Sequence, residues 1–128
     1  MEDKKRILVV EDEDDNQMFV VKSLEKEGYD VMGVFNGEDA LKRFVEEEFD
    51  LIILDVLLPG IDGWEVLRRI RSEAKGKKMP IIMLTVKDSS RDKLEGYMMG
   101  ADYYIGKPFA FNIFLQIVTD LLNKTKSA

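Results

Sequence analysis

The chain has 128 residues, 45% of them hydrophobic and 34% charged, and a formal net charge of −6. That length and composition fit one globular domain over residues 1–128 with a sizeable core, and the acidic balance argues against a nucleic-acid-binding surface. The lack of cysteine and histidine excludes disulfides, thiol chemistry, serine–histidine triads and most zinc sites.

The segment MEDKKR is followed by an apolar run too short for a secretory signal. No window approaches the roughly 18 apolar residues of a spanning helix. A soluble, cytoplasmic protein without membrane contact is the expectation. RILVV predicts a strand near 6–10; its unbroken apolar character fits a central strand covered on both faces. The run ends at Glu11 and Asp12. A helix follows near 15–27, with an apolar cluster at Met18, Phe19 and Val20, and Gly28 is placed to end it in the left-handed conformation. DVMGVF predicts a weaker strand near 30–35, closer to an edge, and a helix near 37–48 comes next.

LIIL predicts a strand near 50–54 that runs directly into Asp55. A charge between LIIL and the apolar stretch Val56 to Leu58 is costly to desolvate unless paired. Pro59-Gly60 marks a turn. Asp62 is placed to cap a helix near 62–73, with Glu65 completing a capping-box-like pair. KGKKMP, at 75–80, reads as a solvated loop. IIML predicts a strand near 80–84 ending at Thr85. A helix near 89–99, stopped by Gly100, leads to a strand near 102–105. Gly106, Lys107 and Pro108 then introduce a last helix near 109–124.

Strands alternating with helices predict βαβ units, right-handed crossovers and a parallel sheet in a three-layer α/β/α sandwich. In such a sheet the carboxyl ends of the strands line one ligand-binding edge. Glu11, Asp12, Asp55, Thr85 and Lys107 should therefore meet. Singly, each has an ordinary explanation: a cap, a turn aspartate, a β-branched strand residue, a surface lysine. Together they form a set. Three close carboxylates repel one another, and Mg²⁺, which favours oxygen ligands, resolves the repulsion. A carboxylate nucleophile at Asp55 needs no histidine base. Mg²⁺, Lys107 and the Thr85 hydroxyl would surround the charge of a transferred phosphoryl group.

The pieces ILVVEDE, LIILDVLLPGIDGWEVL, PIIMLT and GADYYIGKPF, in that order and spacing, resemble the receiver domain of two-component response regulators, and the likeness runs from Lys5 to about Lys124. The resemblance implies a flavodoxin-like doubly wound sheet of order 2-1-3-4-5. It implies that Asp55 accepts a phosphoryl group from the phosphohistidine of a histidine kinase or phosphotransfer protein. Asp12, Asp55, Glu11 (through water) and the Leu57 carbonyl would bind Mg²⁺, and Lys107 would pair with a phosphate oxygen. Thr85 would move to the phosphate, Tyr104 would rotate inward behind it, and Lys107–Pro108 would be a cis peptide. The domain would catalyse its own phosphorylation and slow dephosphorylation. Its output would be binding of a downstream partner, or self-association, through the helix near 89–99, the last strand and the last helix. The first helix would meet the histidine-bearing domain. Two positions depart from the family pattern: Val86, where a small residue is usual, and Glu11, where aspartate is commoner. Altered rates are expected from both.

The last helix is apolar over an arc of about 200°, against the stripe of just over about 100° that covering one sheet face requires. The surplus edge, centred on Ile113 and Ile117, is either a docking or self-association face or a greasy side covered by the chain's own tail. Two other classes stand beside the receiver reading. A magnesium-dependent phosphohydrolase would usually carry a second aspartate two residues after the nucleophile, where this chain has Leu57. An unphosphorylated receiver-like scaffold would have no need of Asp12, Asp55, Thr85 and Lys107 together.

Overall fold

The computed structural model describes residues 4–86 and 100–126, with the backbone alone for 124–126. Five strands, β1 (Arg6–Val10), β2 (Asp30–Val34), β3 (Leu51–Leu54), β4 (Ile81–Thr85) and β5 (Tyr103–Gly106), pair in parallel in the order β2-β1-β3-β4-β5. The helices are α1 (Asp14–Lys26), α2 (Gly37–Glu46), α3 (Gly63–Ser72) and α4 (Phe111–Lys126), with a 3₁₀ turn at Ala74–Gly76. The helix expected near 89–99 lies outside the described residues.

The unbroken apolar runs have a direct cause. Leu8 and Val10 face one side of the sheet, where α2 and α3 contribute Ala40, Phe44, Val66, Leu67 and Ile70. Ile7 and Val9 face the other, against Val20 and Leu24 of α1 and Phe114 and Val118 of α4. A strand with helices on both faces has no solvent side, so period-two alternation vanishes. Each such side chain contributes about 1.5–3 kcal/mol on burial. Among the described residues β2 pairs only with β1, and its partial exposure accounts for its weaker pattern.

Local signals set the element ends. The Asp62 carboxylate accepts the Glu65 N–H at 3.0 Å and starts α3. The Glu65 side chain turns away to Arg68 and Arg69, so the capping box is half formed. Asn36 caps α2 through the Asp39 N–H at 2.8 Å. Gly28, just past the end of α1, has a φ of 96°, as its predicted role requires; Gly100 has a φ of 105°, and the helix expected before it lies outside the described residues. The segment read as a loop at 75–80 carries the end of the 3₁₀ turn. Arg71 gathers it: the guanidinium donates to the carbonyls of Gly76 (2.8 Å) and Gly100 (3.0 Å) and to Asp102 (3.1 Å). Among the described residues, no helix is long and apolar enough to cross a membrane.

Candidate functional site

Register brings the acidic residues together. Val10 aligns with Leu54 across β1 and β3, so the next residues, Glu11 and Asp55, stand side by side at the carboxyl edge. Their own N–H groups extend the ladder, Glu11 donating to Val34 and Asp55 to Val10, both at 3.1 Å. Behind them Gln17 of α1, buried, donates its amide to the carbonyls of Glu11 (3.0 Å) and Val34 (2.7 Å). That bridge locks the turn between β1 and α1. On the far side, the start of α3 presses on Asp55: the Gly63 N–H reaches the Val56 carbonyl at 2.9 Å.

Glu11 and Asp55 are 5% and 6% exposed, while Asp12 is open to solvent. Carboxylate oxygens of the three lie within 4.8 Å of one another. Lys107 enters from the end of β5, where its N–H donates to the Thr85 carbonyl at 2.9 Å and the bond to Pro108 is cis. Its ammonium donates to Asp55 Oδ2 at 3.0 Å and also to Glu11 Oε1. Asp55 Oδ1 accepts the Leu57 N–H at 3.0 Å.

Burial pushes the Glu11 carboxyl above its ordinary range, and its bond to Lys107 only partly opposes that. Burial pulls Lys107 down, but its bonds to Glu11 and Asp55 outweigh it and leave the ammonium more firmly protonated than usual. Three carboxylates against one ammonium leave a formal excess of two negative charges. All of the donors are hard oxygens. That excess and that donor chemistry fit a divalent cation such as Mg²⁺.

Thr85 ends β4 fully buried, and Val86 beside it is exposed. Tyr104, expected to move inward, already stands in the interior, stacked on Trp64 at 6.1 Å and 20°. The side chain of Leu57 is exposed. On α4, Ile113 is 59% exposed, but Ile117 is half-buried against the cluster of Phe114 and Val118. The predicted apolar edge narrows to Ile113. A groove of about 400 Å³ opens at the mouth of the site, lined by Asn16, Phe19, Val86, Lys107, Pro108, Phe109 and Phe111. Sequence reasoning missed Gln17. Its only trace is a polar residue in phase with Val20 and Leu24 on the buried face of α1.

A doubly wound sheet with an acidic cluster and a lysine at its carboxyl edge defines a receiver-type module. Residues 7–119 match the family model described as the response regulator receiver domain. The chain is 41% identical over 122 residues to the transcriptional regulatory protein PcoR of Escherichia coli, covering 95% of this chain and 53% of that one. It thus spans about half the length of that relative. The receiver domain of the Francisella response regulator 1452 is 30% identical with a TM-score of 0.89, covering 95% of this chain and 99% of that one. Chemotaxis protein CheY4 of Vibrio cholerae is 31% identical with a TM-score of 0.87, covering 93% of this chain and 99% of that one. The chain belongs to the response regulator receiver domain family of two-component signalling.

Proposed function

We propose that Asp55 is a phosphoacceptor. A carboxylate oxygen attacks the phosphorus of a phosphohistidine on a kinase or phosphotransfer protein; the P–N bond breaks, an aspartyl phosphate forms and the imidazole leaves with the bond's electrons. The observation that carries this is the placement of Asp55. It is nearly buried, bonded to Lys107, and shares a carboxylate cluster with Glu11 and Asp12.

Bound at Asp12, Asp55, Glu11 and the Leu57 carbonyl, Mg²⁺ would neutralise charge on the phosphoryl oxygens. Lys107 orients Asp55 and then pairs with a phosphate oxygen. Thr85 donates its hydroxyl to another. Exposed Phe19, with Pro108 and Phe111, gives the donor's histidine-bearing domain an apolar surface beside the mouth. Val86 stands on the same rim and slows access of donor and water.

The output is a population shift. Whichever arrangement of Thr85, Tyr104 and the segment after β4 better holds the phosphate becomes favoured, by a coupling on the order of 1–3 kcal/mol. The surface it changes runs from that segment through β5 to α4, including Ile113 and the edge of Ile117. A downstream protein or a second copy reads it. The domain acts as a cytoplasmic switch, phosphorylating and slowly dephosphorylating itself, without binding nucleic acid or membrane.

The test is incubation with acetyl phosphate and Mg²⁺ followed by intact-mass spectrometry. One phosphate adduct is expected on the wild type and none on Asp55→Asn. An adduct that persists in the Asn variant rejects the assignment.

A further inference from the structure

We propose that the groove between α1 and the carboxyl end of β2 docks a partner protein through a basic amphipathic helix. This surface is distinct from the phosphoacceptor site and its mouth. Asp14, Met18, Val21 and Glu25 recur at helical spacing along one face of α1 and, with Phe35 beyond β2, line a groove of about 520 Å³. Met18 is 57% exposed and Phe35 44%. Large apolar side chains that share one exposed groove mark an interaction surface more often than scattered ones do. Gly33 and Gln17 form the floor, packed so closely that a Cβ on Gly33 would fall 2.4 Å from the Gln17 amide oxygen.

Charge selects the occupant. Asp14 and Asp15 stand at one end of the groove and Glu25 at the other, all exposed. None of the three has an ion-pair partner among the described residues. Anionic lipid and nucleic acid are repelled by such a rim. A second helix lying along α1 shares its rise of about 1.5 Å per residue, so the acidic ends are matched by basic residues about 16 Å apart. Apolar residues between them cover Met18, Val21 and Phe35. Lys22, about one turn before Glu25, favours one acidic residue opposite it and so sets the register. Phe19 is one residue, about 100°, further round the helix, which leaves the mouth of the phosphoacceptor site free.

The probe is a synthetic helical peptide of about 18 residues, with lysines eleven apart flanking leucines. A companion peptide carries glutamates in place of the lysines. Binding to the full chain is read by fluorescence anisotropy at two salt concentrations. The lysine peptide is expected to bind, more weakly at high salt, and the glutamate peptide not to bind. Met18→Ser and the double variant Asp14→Asn with Glu25→Gln should each weaken binding about tenfold. The α2 controls Val45→Ser and Glu46→Gln should change it less than about twofold. Equal weakening by groove and control variants, or binding of both peptides, overturns the proposal. So does self-association of the chain that Met18→Ser abolishes, which would make a second copy the occupant. Phosphorylation of Glu25→Gln by acetyl phosphate should match wild type, so failure of the phosphoacceptor reading registers separately.

Discussion

At the scale of single residues, the carboxylate cluster works against fold stability. Glu11, Asp12 and Asp55 crowd within 4.8 Å, and Lys107 answers only part of their charge. Two like charges at that distance repel by about 1 kcal/mol where water screens them. Asp12 is the exposed member, so Asp12→Asn should raise the thermal midpoint in metal-free buffer, with a gain of about 1 kcal/mol at most. Mg²⁺ is expected to stabilise the wild type, and the same variant should lose most of that stabilisation. Scanning calorimetry with and without the ion reads both effects. Asp55 and Lys107 were legible as strand-end polar residues. Gln17 was not, because nothing in a sequence tells which polar residue on a helix turns inward to backbone carbonyls. Ile117 is less exposed than its sequence pattern suggests, for a related reason. An arc of apolar residues says how wide the greasy face is, but the neighbours packed against it decide how much of it is covered.

At the scale of elements, close backbone approaches and side-chain clamps hold the site in place. A Cβ on Gly63 would lie 2.2 Å from the Asp55 carbonyl oxygen. Backbone cannot yield there cheaply, so Gly63→Ala should cost at least about 2 kcal/mol in urea denaturation and slow modification of Asp55. Arg71 ties the 3₁₀ turn, Gly100 and Asp102 together, and Asp102 in turn accepts the Ile81 N–H at 2.8 Å. Arg71→Met leaves those carbonyls without their donor and should lower stability by about 2 kcal/mol in the same assay. On α3, the Glu65 carboxyl is held at about 2 by Arg68 first and Arg69 second. A depressed carboxyl contributes above its unfolded value and loses the contribution as pH falls through the folded one. The gap between wild type and Glu65→Gln in urea midpoint should therefore shrink between about pH 5 and pH 2. The strands of this element set were readable because both faces are covered and both faces are apolar. Glu65 was read only halfway, since Arg68 and Arg69 compete for the carboxylate that a capping box needs.

At the scale of the whole molecule, the strand order carries the functional argument. Placing β1 and β3 side by side is what joins residues 11 and 12 to residue 55, and β5 at the end of the sheet lets Lys107 reach back across them. Neither adjacency can be read from periodicity alone; it came from the likeness of four motifs in fixed order. Two grooves flank α1, and under the two proposals above one helix serves two encounters, a phosphodonor beside Phe19 and a basic helix beside Met18. The proposed switch depends on one modified side chain, Asp55. Peptide-level mass mapping after exposure to acetyl phosphate and Mg²⁺ locates it. A single hydroxylamine-labile phosphate on Asp55, absent when the ion is chelated, is the predicted result. A phosphate on another residue, or an unmodified Asp55 in folded protein, would contradict the account.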